Sequence, residues 1–89
     1  MYTLIITGEA KSDIAALKKS GNVSAIKKVS KLLQELIVHP QSGTGRVEQL
    51  KGNLSGLWSR RIDKKNRLVY SIDENAKTVT VISATGHYD

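Results

Sequence analysis

Three side chains of this sequence, Glu48, Arg67 and His87, are a carboxylate, a guanidinium and an imidazole, the set that metal-free cleavage of RNA requires. A base must take the 2′-hydroxyl proton, a cation must stabilise the charge building on phosphorus, and an acid must protonate the departing 5′-oxygen. Histidine suits the acid role because it is the one side chain whose unperturbed charge changes near neutral pH. His87 stands with Tyr88 and Asp89 at the end of the sequence. Each candidate also has a plainer role. Terminal histidines are often simply solvated, and Glu48 has Arg46 and Lys51 as basic neighbours to pair with. Tyr88 could stack on a base, donate to a phosphate or fold back as a hydrophobic plug.

Other chemistries lack their residues. With no cysteine in the chain there are no disulfides, zinc-thiolate sites or thiol nucleophiles, which fits a reducing cytoplasm. His39 and His87 are too few for a metal centre without acidic company at suitable spacing, so neither metal nor cofactor is expected. Gly43-Thr44-Gly45 lacks the Lys-Ser/Thr ending of a phosphate-binding loop and does not follow a strand. Asn53-Leu-Ser-Gly56 lacks the glycine pattern of a nucleophile elbow. The chain opens on a strand-like run, Tyr2–Thr7, with no basic leader, so neither a signal peptide nor a membrane span is expected.

The net charge of +6 asks for a polyanionic partner. Its distribution is uneven: Arg46, Lys51, Arg60, Arg61, Lys64, Lys65 and Arg67 face only Glu48 and Asp63 in the same stretch. A solvated basic face would explain the same cluster.

These side chains must be placed by one small domain, residues 1–89, with an aliphatic core, since there is no phenylalanine. Trp58, Tyr70 and Tyr2 are its large rings, with Trp58 expected in the core rather than at a contact surface. Strand 1 is read at 2–7 and a first helix at about 9–19, with Ala10, Ile14 and Leu17 on one face. Gly21 suits the left-handed position after that helix, and Asn22 is a natural N-cap for the next. In the second helix Val23, Ile26, Val29, Leu33 and Leu36 or Ile37 recur every three or four residues. It stops at His39, because Pro40 cannot continue it. Strands follow at 47–51, 57–63, 67–72 and 77–83. The order β-α-α-β-β-β-β predicts an α+β fold with both helices on one face of a mainly antiparallel sheet. Period-2 alternation puts Leu68, Tyr70 and Ile72 on the core face and Arg67 on the open one. In the preceding strand the assignment stays open, since Trp58, Arg60 and Ile62 alternate with Leu57, Ser59 and Arg61, and one of the two arginines must lie at or near the covered side. Glu48 shares its parity with Leu50, so alternation does not place it on the open face.

Glu48-Gln-Leu50, Asn53-Leu-Ser-Gly56, Trp58-Ser-Arg-Arg-Ile62, Asn66-Arg-Leu-Val-Tyr70 and His87-Tyr88 together resemble the YoeB/Txe branch of the RelE-like toxins. The resemblance runs through the second half of the chain in order, and the first half matches in layout. It implies a toxin of a toxin–antitoxin pair, an endoribonuclease that cuts messenger RNA on the ribosome without metal. Glu48 would be the general base, His87 the general acid, Arg67 the phosphate-stabilising cation, and Tyr88 the residue holding the scissile nucleotide in line. Lys51 and Arg61 match RNA-contacting positions, and Arg60 is grouped with them as an RNA-binding candidate. The products would be a 2′,3′-cyclic phosphate or 3′-phosphate and a 5′-hydroxyl. Implied partners are an acidic antitoxin that folds across the basic sheet, the ribosome with its message, and a second copy in a homodimer. Val47 stands where relatives often have proline, and Asp89 follows a pair that often ends the chain. Two alternatives stay open: a non-enzymatic gyrase inhibitor like the ParE toxins, which would have no use for an acid–base pair, and a plain basic RNA-binding module.

Overall fold

The computed structural model describes residues 1–85. Strand β1 (Thr3–Ile6) leads into helices α1 (Gly8–Lys19) and α2 (Val23–Val38). After them come β2 (Glu48–Gln49), a 3-10 turn at Gly52–Leu54, β3 (Leu57–Arg61), β4 (Arg67–Asp73) and β5 (Thr78–Ser83). The sheet order is β1-β5-β4-β3-β2. Among the described residues only the β1–β5 pair is parallel, so the expected α+β layout is the one observed.

Local chemistry sets the helix ends. The Thr7 hydroxyl accepts from the Ala10 amide at 3.2 Å and caps α1, while Asn22 Oδ1 accepts from Ala25 at 3.1 Å and caps α2. Gly21, at φ 76°, ends α1 with its amide on the Lys18 carbonyl and that of Asn22 on Leu17, the paired bonds of a Schellman turn.

The core joins Ala10 of α1 and Ala25, Val29, Leu32 and Leu36 of α2 to Leu68, Tyr70, Val79 and Val81 of the sheet. The buried stripe of α2 is therefore rotated from the one its sequence predicts, and Val23 is 64% exposed. Apolar side chains run around much of α2, and docking against β1 and α1 selects the face that is buried. Trp58 is partly buried against the core, as expected.

Strand β2 is shorter than the predicted 47–51. Arg46 takes φ 51° just before it and Gly52 takes φ 67° just after Lys51, so backbone of left-handed conformation limits the ladder at both ends. Gly45 is required by close approach: at φ 93°, a Cβ there would lie 2.9 Å from the Arg61 carbonyl oxygen.

The α2–β2 loop is held by a buried arginine. Arg60, fully inaccessible, has five N–H donors and five bonds. Nε donates to the Tyr70 hydroxyl (3.2 Å), Nη1 to Glu35 (2.8 Å) and the Thr44 carbonyl (3.4 Å), and Nη2 to the carbonyls of His39 and Ser42 (both 2.7 Å). Tyr70 passes the network on by donating to the Pro40 carbonyl at 2.7 Å. Glu35 also accepts from the Thr44 amide and hydroxyl at 2.8 and 2.7 Å. Burial opposes the Glu35 carboxylate, but the Thr44 bonds and Arg60 outweigh it and hold its pKa below the usual value.

Arg60→Ala is expected to cost about 3–5 kcal/mol in urea unfolding, because it removes the guanidinium from three loop carbonyls and from the partly buried Glu35 carboxylate. The Glu35 pKa is lower folded than unfolded. Its contribution is therefore complete above the unfolded value and is lost as pH falls through the folded one. Stability measured against pH should decline below roughly 4.5, and Glu35→Gln should flatten that part of the curve.

Candidate active site

Strand register decides which side chains meet. Glu48 pairs with Ser59, which pairs with Val69, while Arg61 pairs directly with Arg67. Side chains opposite one another across a ladder share a face, as do residues two apart along a strand. Glu48, Arg61 and Arg67 therefore lie together on the face away from the helices. Gln49, Trp58, Arg60, Leu68 and Tyr70 belong to the covered face by the same register. Leu50 does not mark the core side: its amide bonds the Leu57 carbonyl at 2.8 Å, and Leu50 and Leu57 share the Glu48 face. No bulge in β2 is needed to expose Glu48.

With strands about 4.8 Å apart and about 3.4 Å per residue, the Glu48 and Arg67 Cα atoms are separated by roughly 12 Å. Side chains of those lengths can close on one phosphate between them. Arg61 and Arg67 are like charges directly opposite, an arrangement that destabilises a bare sheet pair and that a bound anion relieves. Among the described residues neither has a carboxylate partner, the ion pairs there being Arg60–Glu35 and Lys77–Glu74.

The β3–β4 hairpin starts β4 at Arg67. Asp63 Oδ1 accepts from the amides of Lys65 and Asn66 at 2.8 and 2.7 Å. Burial works against that carboxylate, but the hairpin amides dominate and keep its pKa low. Lys64 and Lys65 are exposed at the tip, and Lys51 is exposed just beyond β2. The Arg67 amide donates to the Thr85 carbonyl at 2.9 Å, so the chain beyond β5 passes beside this arginine.

Arg60 is not an RNA contact: it is 0% exposed, and its donors are spent on Glu35, Tyr70 and the loop. Its position on the covered face follows from pairing with Leu68, which the ambiguous alternation of β3 could not reveal. His87 and Tyr88 lie outside the described residues. Sequence reading missed Glu35, whose only signal was a carboxylate beside the apolar stripe of α2. Among the described residues no three histidines, cysteines or carboxylates form a cluster able to hold a metal, and no helix is long and apolar enough to cross a membrane.

Residues 7–88 match the profile of the YoeB-like toxin of bacterial type II toxin–antitoxin systems. The Toxin RelK of Mycobacterium tuberculosis is 44% identical over 62 residues, covering 70% of this chain and 71% of that one. Among solved structures, a YoeB/ParE toxin from Agrobacterium tumefaciens superposes with a TM-score of 0.87 at 29% identity, over 97% of this chain and 99% of the other. The heterotetrameric YoeB–YefM toxin–antitoxin complex of Staphylococcus aureus gives 0.80 at 30% identity, covering 99% of each chain. The YoeB dimer of the same organism gives 0.82 at 30%, covering 98% of each.

The two adjacent arginines of β3 should separate cleanly by experiment. Arg61→Ala should lower the slope of log affinity for single-stranded RNA against log salt by about 0.7, with little change in melting temperature. Arg60→Ala should instead lower the melting temperature.

Proposed function

Since the chain belongs to the YoeB-like toxins of bacterial type II toxin–antitoxin systems, we propose that it is an endoribonuclease that cuts messenger RNA on the ribosome. The observation that carries this reading is the register placing Glu48, Arg61 and Arg67 on one face of the sheet. Glu48 takes the 2′-hydroxyl proton as the 2′-oxygen bonds to phosphorus. Arg67, with Arg61 opposite it, neutralises the charge that gathers on the phosphate oxygens. His87 gives its proton to the 5′-oxygen as the P–O5′ bond breaks, leaving a 2′,3′-cyclic phosphate and a 5′-hydroxyl. Solvent then returns Glu48 and His87 to their starting protonation states. Tyr88 holds the scissile nucleotide in line, and Lys51 contacts the RNA backbone.

Covalent geometry supports the assignment of His87. Two residues reach at most about 7 Å, and they start from Thr85, whose carbonyl is bonded to the Arg67 amide. The sequence places His87 two residues after a carbonyl held at the Arg67 backbone, which is the support for drawing the general acid from this segment. No metal enters the scheme.

The whole chain acts as one domain in the cytoplasm, where ribosomes are. Its +6 charge suits both a message and an acidic antitoxin that covers the same face. A homodimer is the proposed free form, after the dimer of the staphylococcal relative.

Glu48→Ala and His87→Gln are each expected to lower cleavage about 10²–10⁴-fold, read as new 5′-hydroxyl ends mapped in a translation reaction, while antitoxin binding persists. Growth arrest by either variant as fast as by the unmodified chain would refute the assignment. A supercoiling assay run in parallel separates this activity from gyrase inhibition.

A further inference from the structure

Strand β1 ends at Ile6, opposite Val81, because the chain turns there into α1. Strand β5 continues without that neighbour. Its register against β4 also shifts, Tyr70 pairing with Val81 but Val69 with Ser83, so Ile82 is an extra residue on β5. A bulge of this kind leaves backbone groups outside the ladder, and buried groups of that sort need other partners. Here α1 supplies them. The Thr7 hydroxyl, already capping α1, donates to the Ile82 carbonyl at 3.0 Å. Asp13 Oδ2 accepts from the Ala84 amide at 2.9 Å. From the other side, the Arg67 amide holds the Thr85 carbonyl at 2.9 Å.

We infer that Asp13 is a positioning residue for the cleavage reaction, acting through the backbone at Ala84 to aim the segment that carries His87. The inference rests on the reading of His87 as the general acid. A carboxylate accepting from a backbone amide makes a charge-assisted bond, stronger than a neutral acceptor would. Gly86 is the one residue between Thr85 and His87, so the anchored backbone is close in sequence to the general acid. The bonds at Ala84 and Thr85 fix the place from which the backbone leaves β5 on its way to His87. Thr7 and Arg67 fix carbonyls through a cap and a backbone amide. Asp13 is the one side chain of the three that has no part in a helix cap or in the site itself.

The demand for accuracy is high, because a misplacement of about 1 Å in a catalytic group costs about 10²-fold in rate. Asp13 is only partly buried and lines a cleft of about 230 Å³ with Asn66 and Thr85. Water can therefore enter when its side chain is shortened, and no closed cavity forms.

The test uses the full chain with ribosome-bound message, measuring single-turnover cleavage over a range of toxin concentrations. Asp13→Ala should lower the saturating rate constant by about tenfold or more. The half-saturating concentration should stay within about twofold, and exchange of the Ala84 amide should become faster. Asp13→Asn keeps an oxygen that can accept from Ala84, and it should recover most of the rate and the protection. The inference is overturned if Asp13→Ala saturates at the unmodified rate, or if Asp13→Asn protects Ala84 yet cleaves no faster than Asp13→Ala. A loss confined to half-saturation also overturns it, since that is a binding effect. Should the unmodified chain generate no more 5′-hydroxyl ends than Glu48→Ala, the nuclease reading fails and takes this inference with it. Normal cleavage by both the unmodified chain and Asp13→Ala removes this inference alone.

Discussion

A guanidinium taken wholly out of water is costly unless each of its donors is matched, and Arg60 meets that condition in the middle of this protein. Its acceptors come from four places: α2 through Glu35, β4 through Tyr70, the turn after α2 through His39, and the loop beyond through Ser42 and Thr44. The apolar core lies between the helices and strands β4 and β5, so the loop is ordered by polar bonds, to which Glu35 adds two from Thr44 and Tyr70 one to Pro40. Arg60, Glu35 and Tyr70 together convert a glycine-rich connection into a fixed lead-in for β2. The Arg61 amide adds a bond to the Gly45 carbonyl, joining that lead-in to β3. The network supports the approach to β2, and pairing with Ser59 then places Glu48.

Strand β3 divides its charge between two environments. Arg60 points inward and is neutralised by Glu35, while Arg61 points outward and faces Arg67 across the ladder. Identical side chains at successive positions therefore do opposite work, one organising the scaffold and the other leaving positive charge on a surface. That surface is not uniformly polar. Leu50, Leu57 and Val69 share it, and Val69 is only 2% exposed. An apolar floor beneath charged groups lowers the local dielectric and strengthens their pull on a phosphate.

Most of the architecture was legible in the sequence because its signals are local. Asn22 as a cap, Gly21 as a left-handed stop and Pro40 as a breaker act within a few residues, and each sits where its chemistry predicts. The α2 stripe was less legible, since surplus apolar residues such as Val23 and Val38 offer more than one face for burial and only the docked partner chooses. Two features depend on pairing between strands and could not be read from either strand alone. Glu48 reaches the open face because it lies opposite Ser59, in spite of the misleading parity of Leu50. Arg60 is buried because it lies opposite Leu68 and beneath the α2 turn. The bulge at Ile82 is invisible for the same reason, as it is a mismatch in count between β4 and β5.

The parallel ladder has a bearing on when the molecule can exist at all. Thr3 through Ile6 are joined to Thr78 through Val81, near the two ends of the described chain, and contacts so distant in sequence close late in folding. Strand β5 lies between β1 and β4, yet it is the last described strand to be synthesised. A nascent polypeptide that has reached Asp73 possesses both helices and three antiparallel strands, with a gap where the central partner of β1 belongs. Until translation supplies that strand, β1 has nothing to pair with, so assembly of the sheet waits on the synthesis of β5.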